Sequence, residues 1–288
     1  MIGRTSAMTV RQALDWAFEE LSNAVASPKA EAEAILGHIT GCSRTELYLR
    51  PLAALSDAEL ASLEELVKQR RNLTPLQYLT GVQQFRGIAV EVGPGVLIPR
   101  PETEMVVDRA LELIRDVPHA LVADLGTGSG AIALALADER PDAEVWATEI
   151  DDSALEWARR NVQRSGPASV HLLAGDLLSP LPEHLKGRLD LVISNPPYLS
   201  ESEFRTLPAD VSDHEPRAAL VSDMSGVEAS VRVVRESLDW LKRGGWLVME
   251  TSPQRWADVE AVMQLHYREV QVLPDLSGRD RIAEGRKP

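Results

Sequence analysis

Four consecutive residues, Asn195–Pro196–Pro197–Tyr198, have side chains that suit the recognition of a planar amino group. They follow the apolar run LDLVIS (189–194), and two prolines without backbone N–H groups prevent that strand from continuing. The Asn195 oxygen and a proline carbonyl would accept hydrogen bonds from an –NH2 group while the Tyr198 ring stacks on its flat face. A simple strand-to-loop turn, with Tyr198 as a packing ring, would use the same residues. These four residues alone do not distinguish a binding site from a turn.

A second candidate site is the glycine-rich segment Gly126–Thr127–Gly128–Ser129–Gly130, at the end of the predicted strand ALVADLG (120–126). Glycines at alternate positions allow the backbone to turn sharply and to approach a ligand closely. The pattern G-x-G-x-G differs from the dinucleotide fingerprint G-x-G-x-x-G, whose glycines serve a pyrophosphate at a helix N-terminus. Asp124, just before the turn, suits a cationic or amine-bearing ligand better than a phosphate.

Acidic residues also end the next two predicted strands, EVWATEI (144–150) and SVHLLAG (169–175). Glu149 would take the hydroxyls of a ribose, as acids do at this place in nucleoside-binding α/β folds. Asp176 would receive an adenine amino group. Each acid alone is weak evidence, but three of them beside the glycine loop converge on one crevice. The combination predicts S-adenosylmethionine, a ligand with an amino acid end, a ribose and an adenine.

The order of predicted elements indicates how these residues are brought together. Strands and helices alternate over 99–288, which predicts a largely parallel sheet covered by helices on both faces. Residues 81–98 alternate in polarity and are rich in glycine, which predicts a β-hairpin linking two domains.

The N-terminal residues 1–80 are predicted to form a small helical domain that recognises a partner and takes no part in the chemistry. One apolar stripe runs along the first predicted helix and comprises Val10, Leu14, Phe18, Leu21 and Val25. A second stripe is Ala32, Ile35, Leu36 and Ile39, stopped by Gly41. The segment 56–59 is a capping box that opens a third helix.

Composition narrows the class of substrate and the location. The chain of 288 residues has a net charge of −14, whereas a protein that binds duplex nucleic acid normally offers a basic face. We therefore expect no direct nucleic-acid substrate.

A single cysteine, Cys42, and six histidines without ligand spacing predict no metal site. No apolar run reaches the ~18 residues that span a bilayer, and the first residues lack a signal-peptide core, so a cytoplasmic protein without a membrane partner is expected.

Longer phrases of the sequence resemble a known family. DLGTGSG, the strand-end acid and NPPY together look like a class I methyltransferase that acts on an amino group. The resemblance narrows to the HemK/PrmC family of protein-(glutamine-N5) methyltransferases, which act on the Gly-Gly-Gln loop of class I peptide chain release factors. The resemblance extends from about Gln77 to the end of the chain. The N-terminal segment before it resembles the family mainly in its helical character. The phrases that carry it are QYLTG (77–81), GVLIPRPETE (95–104), SNPPYL (194–199), HEPRAALV (214–221), GGWLVMET (244–251) and LSGRDRI (276–282).

This resemblance implies a Rossmann-like methyltransferase sheet with a small all-helical N-terminal domain, and S-adenosylmethionine as cofactor. The family often has Asp where this chain has Glu149, whose extra methylene lengthens the reach but keeps the chemistry. Asn195 would hydrogen-bond the target amide, with Pro196, Pro197 and Tyr198 completing its pocket. The predicted cofactor-binding set is Asp124, Gly126, Thr127, Gly128, Ser129, Gly130, Glu149, Asp176, Leu177 and Asn195.

Other interpretations stay open at this point. NPPY also resembles the motif of N6-adenine DNA methyltransferases, which must extrude the base and usually add a DNA-reading segment. A glutamine in another protein, such as a ribosomal protein, is a further candidate substrate, and a catalytically inactive binding module is a third interpretation. Four charged residues near the motifs, Arg100, Glu102, Glu215 and Arg217, would either contact substrate or fix loops through salt bridges.

Overall fold

The computed structural model describes residues 8–165, 167, 169–223 and 225–288 and divides the chain into two compact units. The first unit comprises Met1–Gly81 together with Pro208–His214, and the second comprises Val82–Leu207 and Glu215–Pro288. Within the described ranges, no helix has both the length and the apolar character needed to cross a membrane.

The α-helices, in chain order, are α1 (Val10–Leu21), α2 (Pro28–Thr40), α3 (Arg44–Leu49), α4 (Asp57–Arg71), α5 (Leu76–Thr80), α6 (Pro101–Leu113), α7 (Ala131–Glu139), α8 (Asp152–Ser165), α9 (Glu201–Phe204), α10 (Ala209–Ser212), α11 (Glu228–Trp240) and α12 (Trp256–His266). The strands are β1 (Val82–Phe85), β2 (Ile88–Glu91), β3 (Leu121–Leu125), β4 (Glu144–Glu149), β5 (Val170–Ala174), β6 (Leu189–Ser194), β7 (Leu241–Glu250), β8 (Arg268–Pro274) and β9 (Asp280–Arg286). Short 3-10 helices cover Glu183–Leu185 and Arg217–Ala219.

The first unit contains helices α1 to α5 and α10, and α1, α2 and α4 supply most of its apolar core. The predicted capping box is confirmed, since the Ser56 hydroxyl accepts from the Glu59 N–H while the Glu59 carboxylate accepts from the Ser56 N–H. The prediction for α1 is partly wrong: it buries Ala13 and Ala17, whereas Phe18 is 43% exposed. Small side chains face the core here, and the aromatic ring is left at the surface.

The second unit is organised by a seven-stranded sheet in the order β5-β4-β3-β6-β7-β9-β8. The five strands from β5 to β7 are parallel, and β9 runs antiparallel to both β7 and β8. The predicted α/β fold with a mainly parallel sheet and a helical N-terminal region is therefore confirmed. Strand order reverses between β3 and β6, and in open α/β sheets a ligand crevice lies outside the carboxyl ends at such a point.

A hairpin is present where it was predicted, formed by antiparallel strands β1 and β2. It belongs to the second unit, and the Phe85 ring is fully buried. The Asn161 side chain of α8 holds the hairpin by accepting from the Glu91 N–H and donating to the Glu91 carbonyl. The same Asn161 amide donates to the Ser129 carbonyl at 2.9 Å. One side chain thus ties the hairpin to the glycine loop, while the role of residues 81–98 as a linker stays a prediction.

Candidate active site

The register of four adjacent parallel strands places the candidate residues in one row. Thr148 of β4, Leu125 of β3, Ser194 of β6 and Met249 of β7 lie side by side. The residues that directly follow these four in the chain are Glu149, Gly126, Asn195 and Glu250, respectively. The Ser194 hydroxyl donates to the Leu125 carbonyl at 2.8 Å and so joins the start of NPPY to the start of the glycine loop. The sheet thus brings together residues that are far apart in the sequence.

The glycine loop is fixed by hydrogen bonds from beneath. The Gly126 and Thr127 N–H groups both donate to the Thr148 carbonyl, at 3.0 and 2.9 Å. The Thr127 hydroxyl donates to Asp124 Oδ2 at 2.6 Å, so this side chain braces the loop. Ser129 is also buried, with 3% of its surface exposed. These contacts hold the loop in a fixed shape at the edge of the crevice.

The three loop glycines have different surroundings, although all have a positive φ, at 68°, 58° and 84°. A Cβ atom on Gly126 or Gly128 would meet nothing within 4 Å. A Cβ atom on Gly130 would lie 3.7 Å from the Ala158 Cα atom of α8. Gly126 and Gly128 therefore face open space where a Cβ atom would lie, whereas Gly130 also allows close packing of the loop against α8.

Asp124 is completely buried at the end of β3. Its Oδ2 atom accepts from Thr127 and from the Ala133 N–H, while Oδ1 has no hydrogen-bond partner among the described residues. Burial raises the pKa of Asp124 to about 7, and the Glu149 charge adds to the increase, whereas its two hydrogen bonds oppose it. A positively charged ligand nearby would stabilise the ionised form of this carboxyl group.

Glu149 is nine-tenths buried and is already engaged by backbone groups. Its Oε2 atom accepts from the Gly128 N–H at 2.8 Å, and its Oε1 atom accepts from the N–H groups of Ile150 and Asp151 at 2.9 Å. A carboxylate has about four lone-pair positions, so room for ligand hydroxyls is limited. Burial raises the pKa of Glu149, and the three N–H groups lower it. The brace that Glu149 provides to the glycine loop was missed in the sequence.

Asp176 and Leu177 follow β5 at the far side of the crevice. The Asp176 carboxylate forms an ion pair with Arg232 of α11, at 2.9 Å, and both side chains are about half exposed. An adenine amino group would have to share this carboxylate with Arg232. Leu177 has a φ of 46°, in the left-handed region that leucine rarely adopts. The chain therefore turns sharply where an adenine border was predicted.

NPPY begins directly after β6. Asn195 Nδ2 donates to the Thr103 hydroxyl oxygen of α6 at 3.2 Å. Pro196 is buried, and Pro197 and Tyr198 are partly exposed. The Tyr198 hydroxyl donates to Glu250 Oε1 at 3.0 Å. Burial and the Glu250 charge raise the pKa of Tyr198 well above its ordinary value, so this phenol stays neutral.

Sequence reasoning missed a buried polar network behind NPPY. The Thr103 hydroxyl donates to Glu250 Oε2 at 2.6 Å, and the Arg281 guanidinium lies 4.0 Å from Oε1. Glu250 is only 1% exposed, and burial raises its pKa, against the effect of Thr103, Tyr198 and Arg281. These residues lie in the phrases GVLIPRPETE, GGWLVMET and LSGRDRI. The phrases were the only available signal, and they did not indicate which side chains meet.

The four charged residues left undecided by the sequence are mostly engaged in loop contacts. Arg100 pairs with buried Glu215 at 2.5 Å, and Glu215 also accepts from the Ile98 N–H at 3.1 Å. Arg217 pairs with Glu201. These contacts fix the loops that border NPPY, which favours the salt-bridge interpretation for Arg100, Glu215 and Arg217.

The residues present fit S-adenosylmethionine. Open space lies in front of Gly126 and Gly128, and the unpaired oxygen of Asp124 lies in a buried acidic site that favours a cation. Glu149, Asp176 and Leu177 continue the row along the carboxyl ends of β4 and β5.

Comparisons with known proteins agree with these features. Residues 12–81 match the family model described as the PrmC N-terminal domain, and residues 106–210 match the model described as the methyltransferase small domain. The chain is 40% identical to the release factor glutamine methyltransferase of Moorella thermoacetica over 95% of this chain and 97% of the relative. It is 36% identical to the Escherichia coli release factor glutamine methyltransferase, over 94% and 97% of the two chains.

A solved structure shares the fold. The Thermus thermophilus 16S rRNA N2 G1207 methyltransferase, in complex with AdoMet and guanosine, superimposes with a TM-score of 0.54 at 20% identity. The match covers 72% of this chain and 50% of that one. At this level of identity the likeness concerns the fold alone.

Proposed function

Because this chain belongs to the release factor glutamine methyltransferases, we propose that its substrate is the glutamine of the Gly-Gly-Gln motif in class I peptide chain release factors. The chain is an S-adenosylmethionine-dependent glutamine methyltransferase. The reaction places one methyl group on the side-chain amide nitrogen. Translation termination takes place in the cytoplasm, and the enzyme is proposed to act there on the release factor itself, with no membrane partner.

One observation supports the proposal: β3 and β6 are neighbours in the sheet, and their carboxyl ends lie side by side. Asn195, the candidate that would bind the target amide, therefore lies next to the glycine loop. Leu125 and Ser194 are paired in the sheet and are joined by the hydrogen bond from the Ser194 hydroxyl. Gly126 and Asn195 directly follow the last residues of these two strands. A group bound at Asn195 would therefore lie beside a ligand bound in front of Gly126 and Gly128.

The cofactor is proposed to bind along the row of strand ends. Gly126 to Gly130 would line it, Glu149 would face its ribose, and Asp176 and Leu177 would border its adenine. Thr127 would act indirectly, by holding the conformation of the loop. Asp124, beneath the loop, would act through its charge. When bound, S-adenosylmethionine supplies the methyl group as a sulfonium, which is already a strong electrophile with a neutral leaving group.

The protein's own contribution is proposed to be alignment of a poor nucleophile. The lone pair of an amide nitrogen is delocalised into the carbonyl group, so its direction must be fixed before it can react. The Asn195 side-chain oxygen and the Pro196 carbonyl would accept hydrogen bonds from the two N–H groups of the target amide. The Tyr198 ring would lie against the plane of that amide. Positioning of this kind contributes up to about 7–11 kcal/mol in favourable cases. NPPY contains no histidine, cysteine or lysine, and we assign no general base.

Mass spectrometry of a purified class I release factor after incubation with the enzyme and methyl-labelled cofactor tests this function. We expect one added methyl group on the peptide that contains Gly-Gly-Gln, and none when that glutamine is replaced by glutamate. Parallel incubations contain the alternative substrates, which are ribosomal proteins and an adenine-containing oligonucleotide. Label on either of these, with none on the release factor, would contradict the proposal.

A further inference from the structure

The polar network behind NPPY has a fixed direction of hydrogen bonding. Glu250, at the end of β7, faces three donors: the hydroxyl groups of Thr103 and Tyr198 and the guanidinium of Arg281. An ionised carboxylate can only accept hydrogen bonds. Surrounded by donors, Glu250 therefore acts as the acceptor at which the network ends.

Because Glu250 accepts, it determines the direction of the hydrogen bonds that the Thr103 hydroxyl forms. A threonine hydroxyl has a single proton, and Thr103 donates it to Glu250 Oε2 at 2.6 Å. Its oxygen is left to accept, and the group it faces is the Asn195 side-chain amide, 3.2 Å away. Only the NH2 end of that amide can donate. The Asn195 NH2 group must therefore face Thr103, which directs its carbonyl oxygen away from α6.

We propose that Thr103 and Glu250 are positioning residues that hold the Asn195 amide in the one orientation that presents its oxygen to the substrate. This inference rests on the proposed role of Asn195 as the acceptor for the target glutamine. An amide turned by 180° about its terminal bond would present NH2 donors to the target –NH2 group, and two donors cannot form a hydrogen bond. Thr103 and Glu250 prevent that rotation without touching the substrate.

The same carboxylate positions the aromatic part of the site. Tyr198 donates to Glu250 Oε1, the oxygen that Thr103 does not use, and Arg281 stands beside both groups, 3.5 Å from the Tyr198 oxygen. Arg281 is held in turn by Asp275 at 3.6 Å. The two oxygens of one buried carboxylate thus set the orientation of two different NPPY side chains. These hydrogen bonds and the nearby guanidinium compensate for the burial of a carboxyl group that is only 1% exposed.

Thr103 offers the cleanest test because valine has nearly the same shape without the hydroxyl. We expect Thr103→Val to lower kcat for release factor methylation by up to about 100-fold, as a small misplacement can do, with the Kd for S-adenosylmethionine unchanged. Thr103→Ser keeps the hydroxyl and should recover most of this loss. Ser237→Ala, which removes a buried hydroxyl that donates to the Val233 carbonyl in α11, controls for general loss of stability and should leave kcat unaffected.

A double-mutant cycle distinguishes positioning from a purely structural role. If Thr103 acts through Asn195, then Thr103→Val should cause no further loss of kcat in the Asn195→Ala background. Glu250→Gln should reduce kcat in the wild-type background, because its NH2 group can donate to Thr103 and reverse the network. Additive losses of Thr103→Val and Asn195→Ala would overturn the inference, as would full activity of Thr103→Val. Absence of methylation by the wild-type enzyme would instead contradict the proposed function.

Discussion

At the scale of single residues, Asp124 is a buried acid whose charge would respond to a bound cation. Its carboxyl group is completely buried, with one oxygen unpaired among the described residues, and burial raises its pKa to about 7. Near neutral pH a large fraction of the unliganded protein therefore carries the proton. A cation nearby favours the ionised form, so cofactor binding should release this proton.

We expect the affinity for S-adenosylmethionine to fall as the pH drops below about 7, by at most about tenfold per pH unit, and to level off above it. Calorimetry between pH 6 and 8, in buffers with different ionisation enthalpies, measures both the affinity and the number of protons released. Asp124→Asn is the matched control, since it retains the shape and cannot ionise. Identical pH profiles for the two proteins would show that Asp124 is not linked to binding.

Asn195 is the residue on which the proposed chemistry depends most. Asn195→Ala removes the acceptor for the target amide, and loss of one such polar contact in a closed site typically costs about 10²–10³ in kcat. The Kd for cofactor should change little. Steady-state kinetics on a release factor and a separate cofactor titration measure the two effects. Asn23→Ala, in an exposed turn of the first unit, is the control and should behave as wild type.

Asn195→Asp distinguishes the two ends of the side chain. It keeps an acceptor oxygen but has no NH2 group to donate to Thr103, whose only hydroxyl proton goes to Glu250. We expect this variant also to lose most of its activity. Normal turnover by Asn195→Asp would show that the NH2 contact with Thr103 is dispensable.

The position of Asn195 directly after a strand could be predicted from the sequence, because the two prolines that follow it lack the N–H groups that would continue the strand. The partners of Asn195 could not. Thr103 and Glu250 are 147 residues apart along the chain, and a glutamate at the end of an apolar strand normally indicates a surface residue. Only the register of β6 beside β7 brings Glu250 next to Asn195.

At the scale of elements, the loop after NPPY is held at its backbone. The Arg255 guanidinium donates to the Tyr198 carbonyl at 3.3 Å and pairs with Glu203. Gly226 packs against the same carbonyl: a Cβ atom there would lie 2.8 Å from the Tyr198 oxygen and 3.0 Å from the Leu199 carbonyl carbon. The conformation of NPPY thus depends on a glycine about thirty residues further along the chain.

Gly226→Ala is expected to lower kcat as well as stability. The φ of 82° alone costs alanine about 1–2 kcal/mol, and the new Cβ atom must also displace the Tyr198 carbonyl. Gly41→Ala is a matched control, since its φ is 66° and its Cβ atom would meet nothing within 4 Å. Thermal unfolding should show a loss of stability in both variants, whereas kinetics should show a loss of turnover in Gly226→Ala alone. Equal activity would mean that Tyr198 does not need its present position.

The elements that were predicted best are those buried on both faces. The β6 strand coincides with the predicted LDLVIS because its entire length is apolar or buried and the prolines end it. The half-buried helices were predicted less well. In α1 the hydrophobic ring of Phe18 suggested the inward face, but tertiary packing selected Ala13 and Ala17. Side-chain size at a helix contact depends on the neighbouring helix, which a local pattern does not contain.

At the scale of the whole molecule, the chain does not divide at a single point. The segment Pro208–His214, which follows NPPY and α9 in sequence, belongs to the first unit, and the chain returns to the second unit at Glu215. The sequence suggested one boundary near residue 81 because the change from helical to alternating patterns is local. A short return segment has no pattern of its own and could not be assigned. The recognition role of residues 1–80 stays a proposal.

The first unit has an apolar surface that suits such a role. Phe18 and Tyr48 line a cavity of about 380 Å³, and both are about half exposed. Leu49 and Leu52, on the chain just after Tyr48, are 74% and 79% exposed. Several large apolar side chains exposed close together along the chain make this segment a candidate protein-binding surface.

Replacing Leu49 and Leu52 together by serine is expected to weaken recognition of the whole release factor without affecting the chemistry. Both side chains are largely in solvent, so the free energy of unfolding should change little. We expect KM for the intact factor to rise about tenfold, equivalent to about 1.4 kcal/mol of lost binding, with kcat on a short Gly-Gly-Gln peptide unchanged. Leu265→Ser is the control, because Leu265 is 76% exposed and lies on α12 of the second unit. If the double variant and the control have the same KM for the intact factor, this surface takes no part in recognition.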